Sequence, residues 1–225
     1  MKKLVVSTVA GVISLLIGTQ SSQALTILGA SSVSTNMGEG FGPVSNIINQ
    51  SGLSAGYTNG EDLNTYLATN PTHTNFFSGF EWYSDQPITS GNVDFDLGSV
   101  FSVANVIIWN EEFQGVNQFR IITASLPDFS DSVDQGLFIA PNNPDGFSYG
   151  ASPFTFSSSS ARYVRLAILT SYNDLEINTA ALGEVAFGVD LQAVPFEFSP
   201  ALGIAILGVA GLAKKILKTK AKINK

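Results

Sequence analysis

From Asn92 to Leu97 the chain alternates polar and apolar residues without a break: Asn92-Val93-Asp94-Phe95-Asp96-Leu97. Val93, Phe95 and Leu97 then share one side and both aspartates the other, which is the repeat of a half-buried β-strand and not of a helix. The pattern returns at Gln118 to Ala124, at Arg162 to Leu169, where Val164, Leu166 and Ile168 share a face, and at Leu182 to Val189, with Val185, Phe187 and Val189. Val103 to Trp109 is nearly all apolar and of strand length, which predicts a strand buried on both sides. Turn-forming residues separate the runs at Leu97-Gly98-Ser99, at Pro141 to Gly146 and at Ser157 to Ser160, the last read as a loop. Several short strands joined in this way predict two packed sheets, a sandwich.

Long apolar runs that could be helices occur at the two ends. Lys2 and Lys3 precede an apolar stretch from Leu4 to Gly18, and Ser22-Gln23-Ala24 places small residues where a signal peptidase reads. An export signal is therefore expected over residues 1–24, with cleavage between Ala24 and Leu25. At the other end, Pro195-Phe196-Glu197-Phe198-Ser199-Pro200 leads into an apolar stretch and six lysines from Lys214 to Lys225. Phe196 to Ala213 is 18 residues, near the lower limit for spanning about 30 Å of hydrocarbon, and lysines behind such a span belong on the cytoplasmic side. Residues 191–225 are thus expected to form a sorting segment with a transmembrane helix at about 200–213. Residues 25–190 are the domain between.

There is no Cys, so disulfides, thiolate nucleophiles and Cys-based metal clusters are excluded. Between 25 and 190, three arginines face 17 acidic residues, a formal charge of -14. Such a surface repels nucleic-acid phosphate and suits divalent cations and neutral or cationic ligands, while also keeping an exported protein soluble.

Two resemblances follow. The Pro-Phe-Glu-Phe-Ser-Pro motif, short apolar helix and basic end resemble the PEP-CTERM class of sorting signals, with Pro195, Phe196 and Glu197 in place of Pro-Glu-Pro. That resemblance implies recognition by an exosortase and a transient inner-membrane anchor. In the middle zone, Ala30-Ser31-Ser32, Asp96-Leu97-Gly98, Val106-Ile107-Ile108-Trp109-Asn110, Ala161-Arg162-Tyr163-Val164-Arg165-Leu166 and Gly183-Glu184-Val185 resemble, in order, the discoidin family, also called the coagulation factor V/VIII type C domain. The resemblance implies an all-β fold, a galactose-binding-like jelly-roll β-sandwich, flanked here by the signal helix and the C-terminal hydrophobic helix. Trp109 is expected in the core, and Arg162 and Arg165 as structural ion-pair partners on a strand edge. The segment from Asn49 to Phe80 is longer than the family pattern and richer in Asn, Thr and Gly.

Carbohydrate binders of that family present rings and polar groups on loops at one end of the sandwich. Here the stretch from Asn70 to Phe77, followed by Trp82-Tyr83, supplies the sole His and a dense aromatic group, so His73, Asn75, Phe76, Trp82 and Tyr83 are the candidate ligand-binding residues. Calcium is the one cofactor suggested, through Asn59, Glu61 and Asp62, whose oxygens recur closely, with Glu184, which the family resemblance places near a calcium site.

Enzyme chemistry finds less. His73 has no Gly-x-Ser-x-Gly elbow to serve, Glu111 and Glu112 would point to opposite faces if they sat on a strand, and one His without Cys makes zinc a poor fit. Gly38-Glu39-Gly40-Phe41-Gly42 reads as a turn. The expected function is a non-catalytic carbohydrate-binding module, exported to the cell surface or extracellular matrix. Its expected partners are a glycan or exopolysaccharide, signal peptidase and exosortase, and no nucleic acid. A structural or adhesive envelope protein without a discrete pocket is the alternative, and a hydrolase ranks behind both.

Overall fold

The alternation at 92–97 opens a strand of 20 residues, and the two longest strands organise the whole domain. The computed structural model describes residues 24–191 apart from Phe77 and Asp145. The export-signal and sorting-segment expectations, Pro195, Phe196 and Glu197 among them, lie outside the described residues, although Ala24 and Leu25 lie within. Among the described residues no helix is long and apolar enough to cross a membrane.

In chain order the strands are β1 (Thr26–Gly29), β2 (Ser32–Thr35), β3 (Thr72–His73), β4 (Trp82–Tyr83), β5 (Gly91–Asn110), β6 (Val116–Ala124), β7 (Val133–Ile139), β8 (Tyr149–Ser171) and β9 (Ala181–Asp190). A 3-10 turn spans Val44–Ile48 and one short helix, α1, spans Leu63–Leu67. The strands are hydrogen-bonded in the order β1-β9-β5-β8-β6-β7, with β2 on β5, β3 on β8 and β4 on β9.

Because β5 and β8 run antiparallel along their whole length, both layers share them. The first half of β5 pairs with β2 and with the second half of β8, which continues to β6 and β7. The second half of β5 pairs with β9 and the first half of β8. Between the halves the register shifts, and Gly98 takes a φ of 83°, a conformation that costs glycine little. Leu97-Gly98-Ser99 is therefore a bulge inside β5 and not a turn. Likewise Ser157 to Ser160 belong to β8 and not to a loop, Ser160 lying opposite Ser102 and Ser159 opposite Val103. Their small polar side chains suit the outer side of a sharply bent strand.

Val93, Phe95, Leu97, Val164, Leu166 and Ile168 from one layer meet Val106, Ile108, Val185, Phe187 and Val189 from the other in a single core. Phe95 and Phe187 cross the interface edge to face, with ring centroids 5.3 Å apart. The run from Val103 to Trp109 is buried on both sides, as expected: Ile107 and Trp109 face outward from that core into a second cluster, covered by Tyr57, Leu63 and Tyr66. Trp109 is fully buried there and its Nε1 donates to the Pro71 carbonyl at 3.0 Å. On the outer face of the first layer, Arg165 forms a two-pronged pair with Asp94 and Arg162 with Asp96, fulfilling the expected structural role.

Candidate functional site

The loop after β2 returns beside β4 because its glycines allow it. Phe41 and Tyr83 exchange backbone hydrogen bonds, Tyr83 N–H donating to Phe41 at 2.8 Å. Gly42 has a φ of 71°, and a Cβ there would stand 2.1 Å from the Glu81 carbonyl oxygen. Trp82 lies beneath, fully buried, its Nε1 donating to the Gly38 carbonyl at 2.9 Å. On the other side β4 pairs with the start of β9, and Ser84 and Ala180 hold the loop before β9 in place through two 2.9 Å bonds.

These loops enclose a cleft of about 360 Å³ lined by Gly40, Phe41, Tyr83, Ser84, Gln86, Ile177 and Thr179. Its size falls in the lower part of the range of about 300–1,000 Å³ usual for small-molecule sites. Phe41 is 40% exposed and meets Tyr83 edge to face at 5.7 Å, so an aromatic ring stands at the rim. Thr179 is only 4% exposed and lines the cleft, and its hydroxyl has no hydrogen-bond partner in the protein. A buried hydroxyl in that condition is costly unless something supplies a partner. The Thr179 hydroxyl is itself sealed from solvent, so the cleft offers a ring face and the Gln86 amide to a polar, ring-shaped ligand.

Behind Tyr83 lie three fully buried glutamates, Glu81, Glu111 and Glu112. Glu81 accepts from the Ser78 hydroxyl at 2.6 Å, and Glu112 accepts from the Phe76 N–H at 2.6 Å. Glu111 accepts from the Phe113 and Gln114 N–H groups, yet burial, reinforced by the charge of Glu112, pushes its carboxyl up to about 7. Glu111 and Glu112 sit just past the end of β5, so strand geometry does not part them and both turn inward.

Of the expected ligand residues, the structure brings Phe76 and Tyr83 together, with ring centroids 6.3 Å apart, and leaves Asn75 exposed beside them. Trp82 is core and faces no ligand. The expectation for His73 is corrected: its side chain is 0% exposed, and it stacks on Tyr149 at 5.2 Å. Its Nε2 lies 3.0 Å from the Ser51 carbonyl, and its Nδ1 lies 3.0 Å from the Tyr149 hydroxyl and 3.1 Å from the Thr74 carbonyl, so both ring nitrogens are engaged within the protein. Burial lowers its pKa, against its hydrogen bonds and Glu81. Replacing His73 with alanine is accordingly expected to cost about 2 kcal/mol of stability in a urea titration, through lost hydrogen bonds and a cavity. The cleft ligand should bind the folded variant as before.

The residues expected to bind calcium do not fit a coordination sphere. Asp62 caps α1 through the Thr65 N–H at 2.7 Å, Asn59 accepts from the Gly29 N–H, and Glu61 accepts from the Thr58 N–H. Glu184 accepts from the Tyr57 hydroxyl at 2.9 Å and the Gln50 N–H at 3.0 Å. Among the described residues no three His, Cys, Asp or Glu side chains are grouped to hold a metal ion.

No family model and no curated protein matches the chain. Solved structures are similar to it. One is the family 32 carbohydrate-binding module of NanJ from Clostridium perfringens, in complex with galactose; it is 13% identical, with a TM-score of 0.47 over 73% of this chain and 98% of that one. A fragment of a protein from Bacteroides thetaiotaomicron described as a chitobiase is 13% identical, with a TM-score of 0.48 over 73% and 90%. The family 32 module of AlyQ, in complex with 4,5-unsaturated mannuronic acid, is 15% identical, with a TM-score of 0.43 over 72% and 96%. The sandwich itself rests on the strand order described above.

Sequence reading missed Phe41, Gln86, Ile177 and Thr179. The signal present for Phe41 was an aromatic residue set among three glycines, Gly38, Gly40 and Gly42, where a turn needs no ring.

Proposed function

We propose that this domain is a non-catalytic glycan-binding module, and that its cleft between Phe41, Tyr83 and Thr179 receives a sugar ring. The observation that carries the reading is an open cleft of about 360 Å³ with the exposed Phe41 ring at its rim and the Gln86 amide in its lining. Sugar C–H faces pack on aromatic rings, and sugar hydroxyls need directed partners. The resemblance of the sequence to the discoidin family favours the same ligand class. The Lys-led apolar start and the Pro195-Phe196-Glu197 segment support export, exosortase processing and a place at the cell surface or in the extracellular matrix.

The test is retention of the full chain on an array of neutral and charged glycans. Wild type should be retained, and Phe41→Ala should lose about tenfold in affinity and Gln86→Ala about threefold. Failure of wild type to bind any glycan, or undiminished binding by both variants, overturns the reading.

A further inference from the structure

On the outer face of the first layer, the cross-strand register sets polar side chains in two rows. Ser32, Asp96 and Tyr163 are direct neighbours across β2, β5 and β8, and Ser34, Asp94 and Arg165 form the next row. Phe95 and Val164, between the rows, point the other way into the core. The loop after β6 brings Phe129 to this face, making a groove of about 310 Å³ whose lining includes both serines, both aspartates, Phe129 and Tyr163. It shares no lining residue with the cleft. The Phe129 backbone has a φ of 57°, a left-handed conformation that is rare for a bulky residue and is found most often where a site needs it. The Arg165 guanidinium lies over the Phe129 ring, 4.1 Å from its centroid, and Tyr163 meets that ring edge to face at 6.3 Å. Arg165 in turn grips Asp94 with Nε and Nη2 at 2.6 and 2.7 Å, and Arg162 grips Asp96 at 2.8 and 2.9 Å. The Asp94 and Asp96 side chains nevertheless remain 29% and 23% exposed, and Ser32 and Ser34 are exposed beside them.

We infer that this groove is a second glycan-binding site, one that takes a neutral, hydroxyl-rich chain, so that a single domain can hold two chains at once. The groove and the cleft are built from different residues, and either can bind without the other. A carboxylate has about four lone-pair sites, and the guanidinium fork takes two of them on each aspartate, so acceptors remain for ligand hydroxyls. On Asp96 the Gly98 N–H takes one more. Because the two-pronged pairs fix both carboxylates before any ligand arrives, little side-chain freedom is lost on binding. The Phe129 and Tyr163 rings supply the apolar wall on which sugar C–H groups pack. Each aspartate is already neutralised by its arginine, and among the described residues no three metal-ligating side chains are grouped, so the groove suits hydroxyl donors and not a metal ion. A domain with two such sites joins polymer chains that a single site would only coat.

The experiment is native electrophoresis of the full chain in mild detergent, through gels cast with galactomannan, glucomannan or dextran, all neutral polymers. Wild type should be retarded in at least one of these gels and should raise the viscosity of that polymer in solution, as a chain-joining protein does. Phe41→Ala and Tyr163→Ala should each weaken retardation about threefold without abolishing it, and neither should raise the viscosity. The two together should abolish retardation. Ser34→Ile carries bulk into the groove from an exposed position clear of the ring packing, and should act as Tyr163→Ala does even if that variant fails to fold. Wild-type retardation of the folded groove variants, or complete loss of retardation in Phe41→Ala alone, overturns the groove and leaves the cleft standing. Wild-type retardation of Phe41→Ala, with complete loss in the folded groove variants, overturns the cleft and leaves the groove. No retardation of wild type in any gel overturns both.

Discussion

Replacing Gly42 with alanine is expected to lower the free energy of unfolding by about 3 to 4 kcal/mol and to abolish binding at the cleft. Two effects act at this one position. At a φ of 71° an L-residue is strained, which costs about 1 to 2 kcal/mol. The new Cβ would also stand 2.1 Å from the Glu81 carbonyl oxygen, and backbone cannot yield as the end of a flexible side chain can. That carbonyl accepts from Asn46 Nδ2 at 3.0 Å, so moving it disturbs a buried contact as well. The loop carrying Phe41 would have to lift from Tyr83, and the cleft would lose its rim. Urea unfolding followed by tryptophan fluorescence measures the first effect, and sugar titration at a denaturant-free temperature well below the midpoint measures the second. A variant with wild-type stability would show that the two loops do not approach as described.

Stability should also fall as pH rises from about 6.5 to about 8.5, by about 2 to 3 kcal/mol. Burial pushes the Glu184 carboxyl up to about 8, against the Tyr57 and Gln50 donors that favour its charge, and pushes Glu111 up to about 7. Both native values lie above the ordinary 4.5. The native state therefore holds protons in this window that the unfolded chain has already released, and stability present at low pH is lost as pH rises through the native values. His73 acts in the opposite sense, since its lowered pKa makes the unfolded chain the better proton binder, but only below about 6.5. Asp96 and Asp134, held down by Arg162 and Arg120, act only in stronger acid. Glu184→Gln should remove about two thirds of the slope, because Glu184 has the higher native value. Chemical denaturation midpoints at four pH values check this, and a midpoint that climbs from neutral to alkaline pH would refute the burial of both carboxyls.

Where the sequence was legible, the reason was periodicity. The alternation around Phe95 and around Leu166 could satisfy both its apolar and its charged residues only as a strand with one face inside, and the Asp94–Arg165 pair follows from that alternation once the strands lie side by side. The bend regions were misread because Gly98 and the serines from Ser157 to Ser160 have turn chemistry, while their neighbours in the sheet keep them extended. Ring placement was the least legible part of the site. His73 is fixed by Tyr149, 76 residues away, and no local pattern carries that contact. Thr179 is one more loop threonine in the sequence, and nothing local signals that it is buried next to Ala180, which Ser84 holds by two hydrogen bonds.

The direction of β9 has a consequence for how the molecule is held. This strand begins at Ala181, opposite Tyr83 and beside the cleft, and ends nine residues later at Asp190. At about 3.3 Å per residue those ends are about 30 Å apart. A chain moored through whatever follows Asp190 would therefore carry its cleft on the far tip, like a hand at the end of a forearm, turned away from the mooring and towards the medium.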